Sequence, residues 1–392
     1  MLINQPRAAR FMDELGLEAL LAATQPNVFY LTGIWRAGEL FALAKREALT
    51  QPGMALPRSE VDYLLEAFRE PEPMVTYGTF FRAEGQGQLT ADEDQVLRWH
   101  NARQPEPNAC DALCALIVEL GLESARIGFD EKGLEPAYLP EIETRFPKLQ
   151  LVPSFQTFRK IRAIKTPAEL ERLEGAMRVT EQAIAQAASI ARPGLTEAEM
   201  QAEFEATQIR LGASQRLCHI GFGHGGMLGM INRPNDKLQP CDLIRFDCGC
   251  IHRGYSSDLA RTFVLGEPSA KQRQAYGAIF AGEQAGIDNM KPGMACSDVF
   301  ALIMKAVRDN GLPEYQRQHT GHGLGIGLAG YDMPLLGPND HTPLEPGMFF
   351  EVETPYYEFG FGGMQVEDSV IVTETGARML TTLSRELGVL PV

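Results

Sequence analysis

The 392-residue sequence contains no apolar run approaching the ~20 residues of a membrane span. Its first stretch, MLINQPRAARFMDELG, has no signal-peptide core and patterns as an amphipathic helix. Positive charge is also scarce: 36 Lys and Arg stand against 51 Asp and Glu, and the resulting net charge of −15 repels phosphate backbones. That balance argues against nucleic acid and membrane as partners and leaves small neutral or cationic substrates open. The seven cysteines are odd in number and show no CxxC spacing, so neither a disulfide framework nor a thiolate zinc site is indicated. Cys110 and Cys114, one helical turn apart, read as core packing, and Cys248 and Cys250 as buried inert thiols. Together these absences place the protein in the cytoplasm.

What is present is a soluble globular composition, 44% hydrophobic and 22% charged, in a chain too long for one ordinary core. Residues 1 to about 160 alternate helical and strand patterns. EALLAA (18–23), MVTYGTFF (74–81), ARIGFD (125–130) and KLQLVP (148–153) read as strands. Arg7 to Gly16, the stretch after Asn108 and the stretch from Tyr138 to Arg145 read as helices, and NVFYLTG (27–33) as a short helix or turn. This order implies an α/β domain with a mixed sheet and carries no visible chemistry. A basic run, FRKIRAIK, then precedes a helix start in which Thr166 is the cap, Pro167 the first helical residue and Glu169 the capping-box partner. The domain boundary is therefore set at about 160, giving domains 1–160 and 161–392.

The second domain repeats itself. A long helix, Arg192-Pro193-Gly194 and a helix capped by Thr196 are echoed by a helix, Lys291-Pro292-Gly293 and a helix capped by Ser297. A hairpin pattern follows each pair. In CDLIRFDCGCIHRGYSSDLART, Pro240 leads to Asp247 and then Asp258; in EPGMFFEVETPYYEFGFGGMQVED, Pro346 leads to Glu353 and then Glu367. The proline-to-carboxylate step is seven residues in both copies. This order predicts two α/β halves related by a pseudo-twofold, with the strands curved together and the helices outside.

An acid set in an apolar strand costs several kcal/mol to bury unless a positive group compensates it, and one metal centre compensates four of them at once. Between the second helix pair and its hairpin lies RQHTGHGLGIGLAGYDMP, where glycines at 321, 323, 325 and 327 allow close backbone approach around His319 and His322. The segment lacks the Lys-Ser/Thr of a phosphate loop. With four carboxylates in place, His322 is the expected fifth ligand. Such a hard, oxygen-rich set suits Mn²⁺, with Co²⁺, Zn²⁺ or Fe²⁺ as alternatives, and five ligands fit two ions about 3.5–4 Å apart.

The order D-x-G, Y-x-x-D-x-x-R-T, G-H-G-x-G, V-E-x-P-like and V-E-D resembles the pita-bread metallopeptidases, the family of methionine aminopeptidase, aminopeptidase P and prolidase. Asp247, Asp258, His322, Glu353 and Glu367 match its five ligand positions. The N-terminal domain resembles that of the Xaa-Pro peptidase and creatinase branch. The resemblance implies a homodimer and hydrolysis of short peptides by a metal-bridged hydroxide, with Glu353 shuttling the proton. A non-peptide C–N hydrolase or lyase on the same scaffold is the alternative, in the manner of creatinase, ectoine hydrolase or dimethylsulfoniopropionate lyase. A non-catalytic binding module of the histone-chaperone kind is disfavoured by the intact ligand set. Two positions depart from the pattern: Asn232 and Tyr331 stand where the family usually carries substrate-contacting histidines. His319, His219 or His224 then becomes the source of an imidazole from a shifted position.

Overall fold

The computed structural model describes residues 1–36, 38–327 and 330–392, which divide into two compact units, Met1–Arg162 and Ala163–Val392. In the first, strands lie in the order Met74–Tyr77, Gly53–Pro57, Phe41–Lys45, Ala19–Ala22, Arg126–Phe129 and Gln150–Pro153. Pairing is parallel at both flanks and antiparallel through the middle, the mixed sheet the alternation implies. Leu21, Leu43, Ala55 and Ile127 bury against Leu113, Leu116 and Ile117 of the helix Ala109–Glu119, whose start is fixed by Asn108 accepting from the Asp111 amide.

Two strands and two α-helices of this unit, Ala91–Asn101 among them, escape the sequence patterns. Phe41–Lys45 and Gly53–Pro57 are short, and each spends residues on Ala, Gly or Pro, which carry little strand preference; burial between neighbours holds them instead. The basic run after KLQLVP is itself the helix Phe155–Arg162, with Phe158 and Ile161 inward.

The second unit carries the repeat in three dimensions. Pro167–Ser189 and Glu197–Arg210 form one helix pair, and Ala270–Asn289 and Cys296–Asp309 the other. Thr166/Glu169 and Thr196/Glu199 are complete capping boxes. Gly194 (φ 81°) and Gly293 (φ 85°) take the left-handed conformation that both Pro-Gly turns require. The expected Ser297 cap is corrected: the helix begins at Cys296 behind Ala295, and the Ser297 hydroxyl instead lies 3.1 Å from His341 Nδ1. The Ser297 amide already donates to the Asp340 carbonyl, which removes the need for a side-chain cap.

Ten strands form the sheet between the pairs. Its main path runs Asp332–Leu335, Gly321–Gly323, Phe349–Glu353, Glu367–Val372, Leu259–Leu265, Leu243–His252, Ser214–Phe222. Each hairpin is thus a pair of adjacent strands, and Ala260 opposite Glu367 joins the halves. Ile184, Phe204, Phe246 and Leu259 pack the first half, and Ile279, Ile303, Phe350 and Val370 the second. At the join, Arg261 is almost wholly buried and donates to the carbonyls of Ala260 and Glu367 and to Asp368 Oδ1, at 2.8, 2.7 and 2.6 Å. Arg385 reaches the other Asp368 oxygen at 2.7 Å and Glu283 at 2.6 Å.

Removing one partner of a buried charge pair leaves the other uncompensated, at about 3–5 kcal/mol. Arg261→Met is therefore expected to lower unfolding stability by about that amount, read from the denaturant midpoint. A shift under about 1 kcal/mol would show that Asp368 is held by Arg385 alone.

Candidate metal centre

The strand register brings the acids together. Glu353 and Glu367 are cross-strand partners, and Asp247 lies opposite Ala260, two residues after Asp258. His322, on the neighbouring strand, completes a cleft of about 250 Å³ that also presents Arg216, His219, Met230, Tyr331 and Gln365. Gly321 and Gly323 admit this strand, since a Cβ at either would fall 2.4 Å from the Glu351 carbonyl oxygen or 2.6 Å from that of Met333. Oxygen atoms of Asp258 and Glu367 and a nitrogen of His322 lie within 4.8 Å of one another, all buried. His322 Nε2 is 4.0 Å from Asp258 Oδ2 and 3.8 Å from Glu367 Oε1.

Each acid has a distinct counter-group. Arg245 Nη1 donates to Asp247 Oδ2 at 2.9 Å, and Arg216 Nη1 to Asp258 Oδ2 at 2.8 Å. Glu353 Oε1 faces His319 Nε2 at 2.9 Å and Arg317 Nη2 at 3.6 Å. Among the described residues Glu367 accepts a hydrogen bond only from the Gln365 amide, at 3.4 Å, and that amide also reaches Glu353 at 3.3 Å. Burial, aided by the charges of Asp258 and Glu353, pushes Asp247 up to about 6 even against Arg245. Burial raises Glu367 well above the usual carboxylate range, with Asp258 and Glu353 adding to the effect. Against its own burial, Glu353 is held below that range by His319, Arg317 and His322. Burial brings His322 down to about 4, so its lone pair is available at neutral pH.

The donor set fits a divalent cation. Four carboxylates converge with one neutral imidazole, and Asp258 Oδ1 is sealed from solvent with no hydrogen-bond partner among the described residues. Sequence comparison agrees with the geometry: the model of metallopeptidase family M24 matches residues 171–374, and that of the creatinase/prolidase N-terminal domain residues 6–164. The chain belongs to metallopeptidase family M24.

An Xaa-Pro dipeptidase of Pyrococcus furiosus is 30% identical over 384 residues, spanning 97% of this chain and 98% of the relative. An Xaa-Pro dipeptidase of Lactobacillus delbrueckii is 26% identical over all of both chains. Among solved structures, the dipeptidase PepE of Mycobacterium ulcerans aligns at TM-score 0.76 and 25% identity over 99% of this chain and 97% of its own. An Xaa-Pro dipeptidase of Bacillus anthracis, with TM-score 0.80 at 24% identity over 98% and 99%, shares the fold. As an M24 member the chain is a metal-dependent peptidase, and it has a donor set suited to the family's divalent ions.

The other residues that the sequence motifs single out separate in the structure. Tyr331 stacks on the His322 ring (centroids 3.8 Å apart, 20° between planes) and meets the His319 ring edge-on at 5.2 Å. Asn232 does not line the cleft: its amide donates to Gln201 Oε1 at 3.0 Å and the Cys218 carbonyl at 2.8 Å. His219 does line it, directly across from Asp247, with Nδ1 sealed from solvent. His224, on the short helix Gly223–Leu228, is exposed and outside the cleft. Arg216 and Gln365 are cleft residues that the patterns missed; Arg216 lies on the strand Ser214–Phe222 beside the first hairpin and Gln365 two residues before Glu367.

Glu367 must lose its proton before offering lone pairs to a cation, so apparent metal affinity rises with pH and binding releases protons. Titrating Mn²⁺ into chelator-stripped protein, in two buffers of different ionisation heat, is expected to show proton release as binding heats that differ between the buffers. Identical heats in the two buffers would contradict it.

Proposed function

We propose that the chain is a dinuclear Mn²⁺-dependent Xaa-Pro dipeptidase or aminopeptidase whose ions are held by Asp247, Asp258, His322, Glu353 and Glu367. The observation carrying this reading is the convergence of these five side chains in one buried cleft. The relatives named Xaa-Pro dipeptidase over nearly their whole length support the substrate class. Bound divalent ions supply Lewis-acid polarisation of the scissile carbonyl and activation of the attacking water.

The protein's own groups do the rest. Glu353 and His319, 2.9 Å apart, form the unit that carries a proton from the water to the leaving amine. Tyr331 keeps its phenolic proton because burial lifts its pKa far above neutral, so it acts as a hydrogen-bond donor to the substrate. His219 supplies a cleft imidazole that Asn232 does not. Near Asp247, it is kept neutral by burial despite that carboxylate's pull. All seven cysteines are free, which supports the cytoplasm as compartment, and among the described residues no helix is long and apolar enough to cross a membrane. The proposed assembly is a homodimer, as the family resemblance implies.

A second reading, a non-peptide C–N hydrolase or lyase, is favoured by Tyr331 in the cleft where the resemblance places a histidine. A panel of Xaa-Pro dipeptides, longer Xaa-Pro peptides and non-peptide amides, assayed with Mn²⁺, separates the two. Turnover of the peptides is expected, and turnover confined to non-peptide amides would overturn the leading reading. Asp258→Ala and His322→Ala are expected to lower kcat by at least about 10³-fold while the circular dichroism spectrum is retained. Wild-type turnover in either variant would remove that residue from the centre.

A further inference from the structure

Lys165 closes the basic run FRKIRAIK and lies in the second unit, and the proposed chemistry does not use it. Its side chain is 1% exposed, and its Nζ lies 3.6 Å from Oδ2 of Asp332, itself 8% exposed. The backbone of this lysine is fixed. Its amide donates to the Gly347 carbonyl at 2.8 Å, and Ile164 bridges Met348, immediately before the strand that carries Glu353. The pair fills a space that Gly325 leaves open, since a Cβ there would fall 3.1 Å from both Asp332 Oδ2 and Lys165 Nζ. The Gly325 carbonyl accepts from the Ser256 amide at 2.9 Å, two residues before Asp258. Lys165 and Asp332 therefore meet among the segments that lead to Asp258, His322 and Glu353.

Asp332 directly follows Tyr331, whose ring stacks on that of His322. Strand pairing does not by itself fix this ring. The ladder slips between His322, opposite Leu335, and Gly323, opposite Asp332, and such a break in register re-aims the neighbouring side chains. Tyr331 is also 45% exposed, so burial holds only part of its surface. A buried ion pair adds little net stability, because desolvation of both charges offsets their attraction; its best attested use is to select one register.

Building on the reading in which Tyr331 meets the substrate, we propose that the Lys165–Asp332 pair is a latch that seats Tyr331 on His322 and aims its hydroxyl into the cleft. Both are positioning residues: neither lines the cleft, and their effect passes through the tyrosine.

Replacing both charges by apolar groups, Lys165→Met together with Asp332→Leu, removes the latch without stranding either charge, and stability near that of the wild type is expected. Proton–carbon spectra of chelator-stripped protein labelled at its seven histidines read the stacking without turnover. A ring face 3.8 Å from His322 offsets that histidine's resonance upfield, and Tyr331→Ala, which removes the ring, assigns the offset. The double variant is expected to lose most of the offset while its circular dichroism is retained, and an unchanged offset overturns the proposal. If the double variant does not fold, Asp332→Glu keeps the charges but lengthens the arm by one methylene; a changed offset is then expected, and an unchanged one overturns the proposal. In turnover of an Xaa-Pro dipeptide by the metal-loaded protein, loss of the latch is expected to lower kcat/KM about tenfold with Tyr331 in place and less than about twofold in a Tyr331→Phe background. Equal losses in both backgrounds show that the pair does not act through the tyrosine and overturn the proposal. If the wild type cleaves no such peptide, the spectra still decide the latch and only the peptidase reading falls.

Discussion

The repulsion among four carboxylates buried within one cleft is the constraint on which the rest of this chain depends. Each acid loses hydration and faces the others, and every neighbouring polar group acts on that imbalance. The compensation is uneven. Both aspartates of the first hairpin have an arginine within 2.9 Å, whereas Glu367 has a neutral amide. Burial therefore pushes the Glu367 carboxyl well above the usual carboxylate range, which ties metal binding to proton loss. Directly behind Glu367, Asp368 takes Arg261 and Arg385, so the strand bearing the acid with no arginine of its own is fastened by two at the next residue. Rigid support of this kind keeps like charges together when electrostatics alone would separate them.

Much of the catalytic unit was legible because its signals are local. The Pro-Gly turns, the Thr-x-x-Glu boxes and the apolar runs ending in an acid each constrain a few consecutive residues, and their repetition turned weak signals into a strong one. The Phe41–Lys45 and Gly53–Pro57 strands were illegible for the opposite reason: Ala and Gly carry no strand preference, and only neighbouring strands decide their conformation. Ser297 misled because its residue type suits a cap while the Asp340 carbonyl, distant in sequence, had already taken the amide.

The candidate site divides along the same line. The acids and His322 sit in motifs that can be read in order, but their counter-groups arrive through register. Arg216 reaches Asp258 from a strand 42 residues earlier, and His219 meets Asp247 only because those positions pair. A motif shows which atoms are charged; the register decides what neutralises them.

That difference bears on specificity. Groups that hold ions are confined by coordination chemistry to hard donors at fixed positions, so they recur in recognisable order. The other groups that line the cleft, here Tyr331, His219 and Met230, need only reach its edge and can come from any element that does. Met230 is 79% exposed while still lining the cleft, and Tyr331 is 45% exposed while stacked on His322. Both present apolar surface to an incoming ligand without entering the charge balance beneath. Substitution at such positions changes which amide is accepted while leaving the acids, their arginines and the fastening beneath Glu367 intact, which is how one metal scaffold accommodates different substrates.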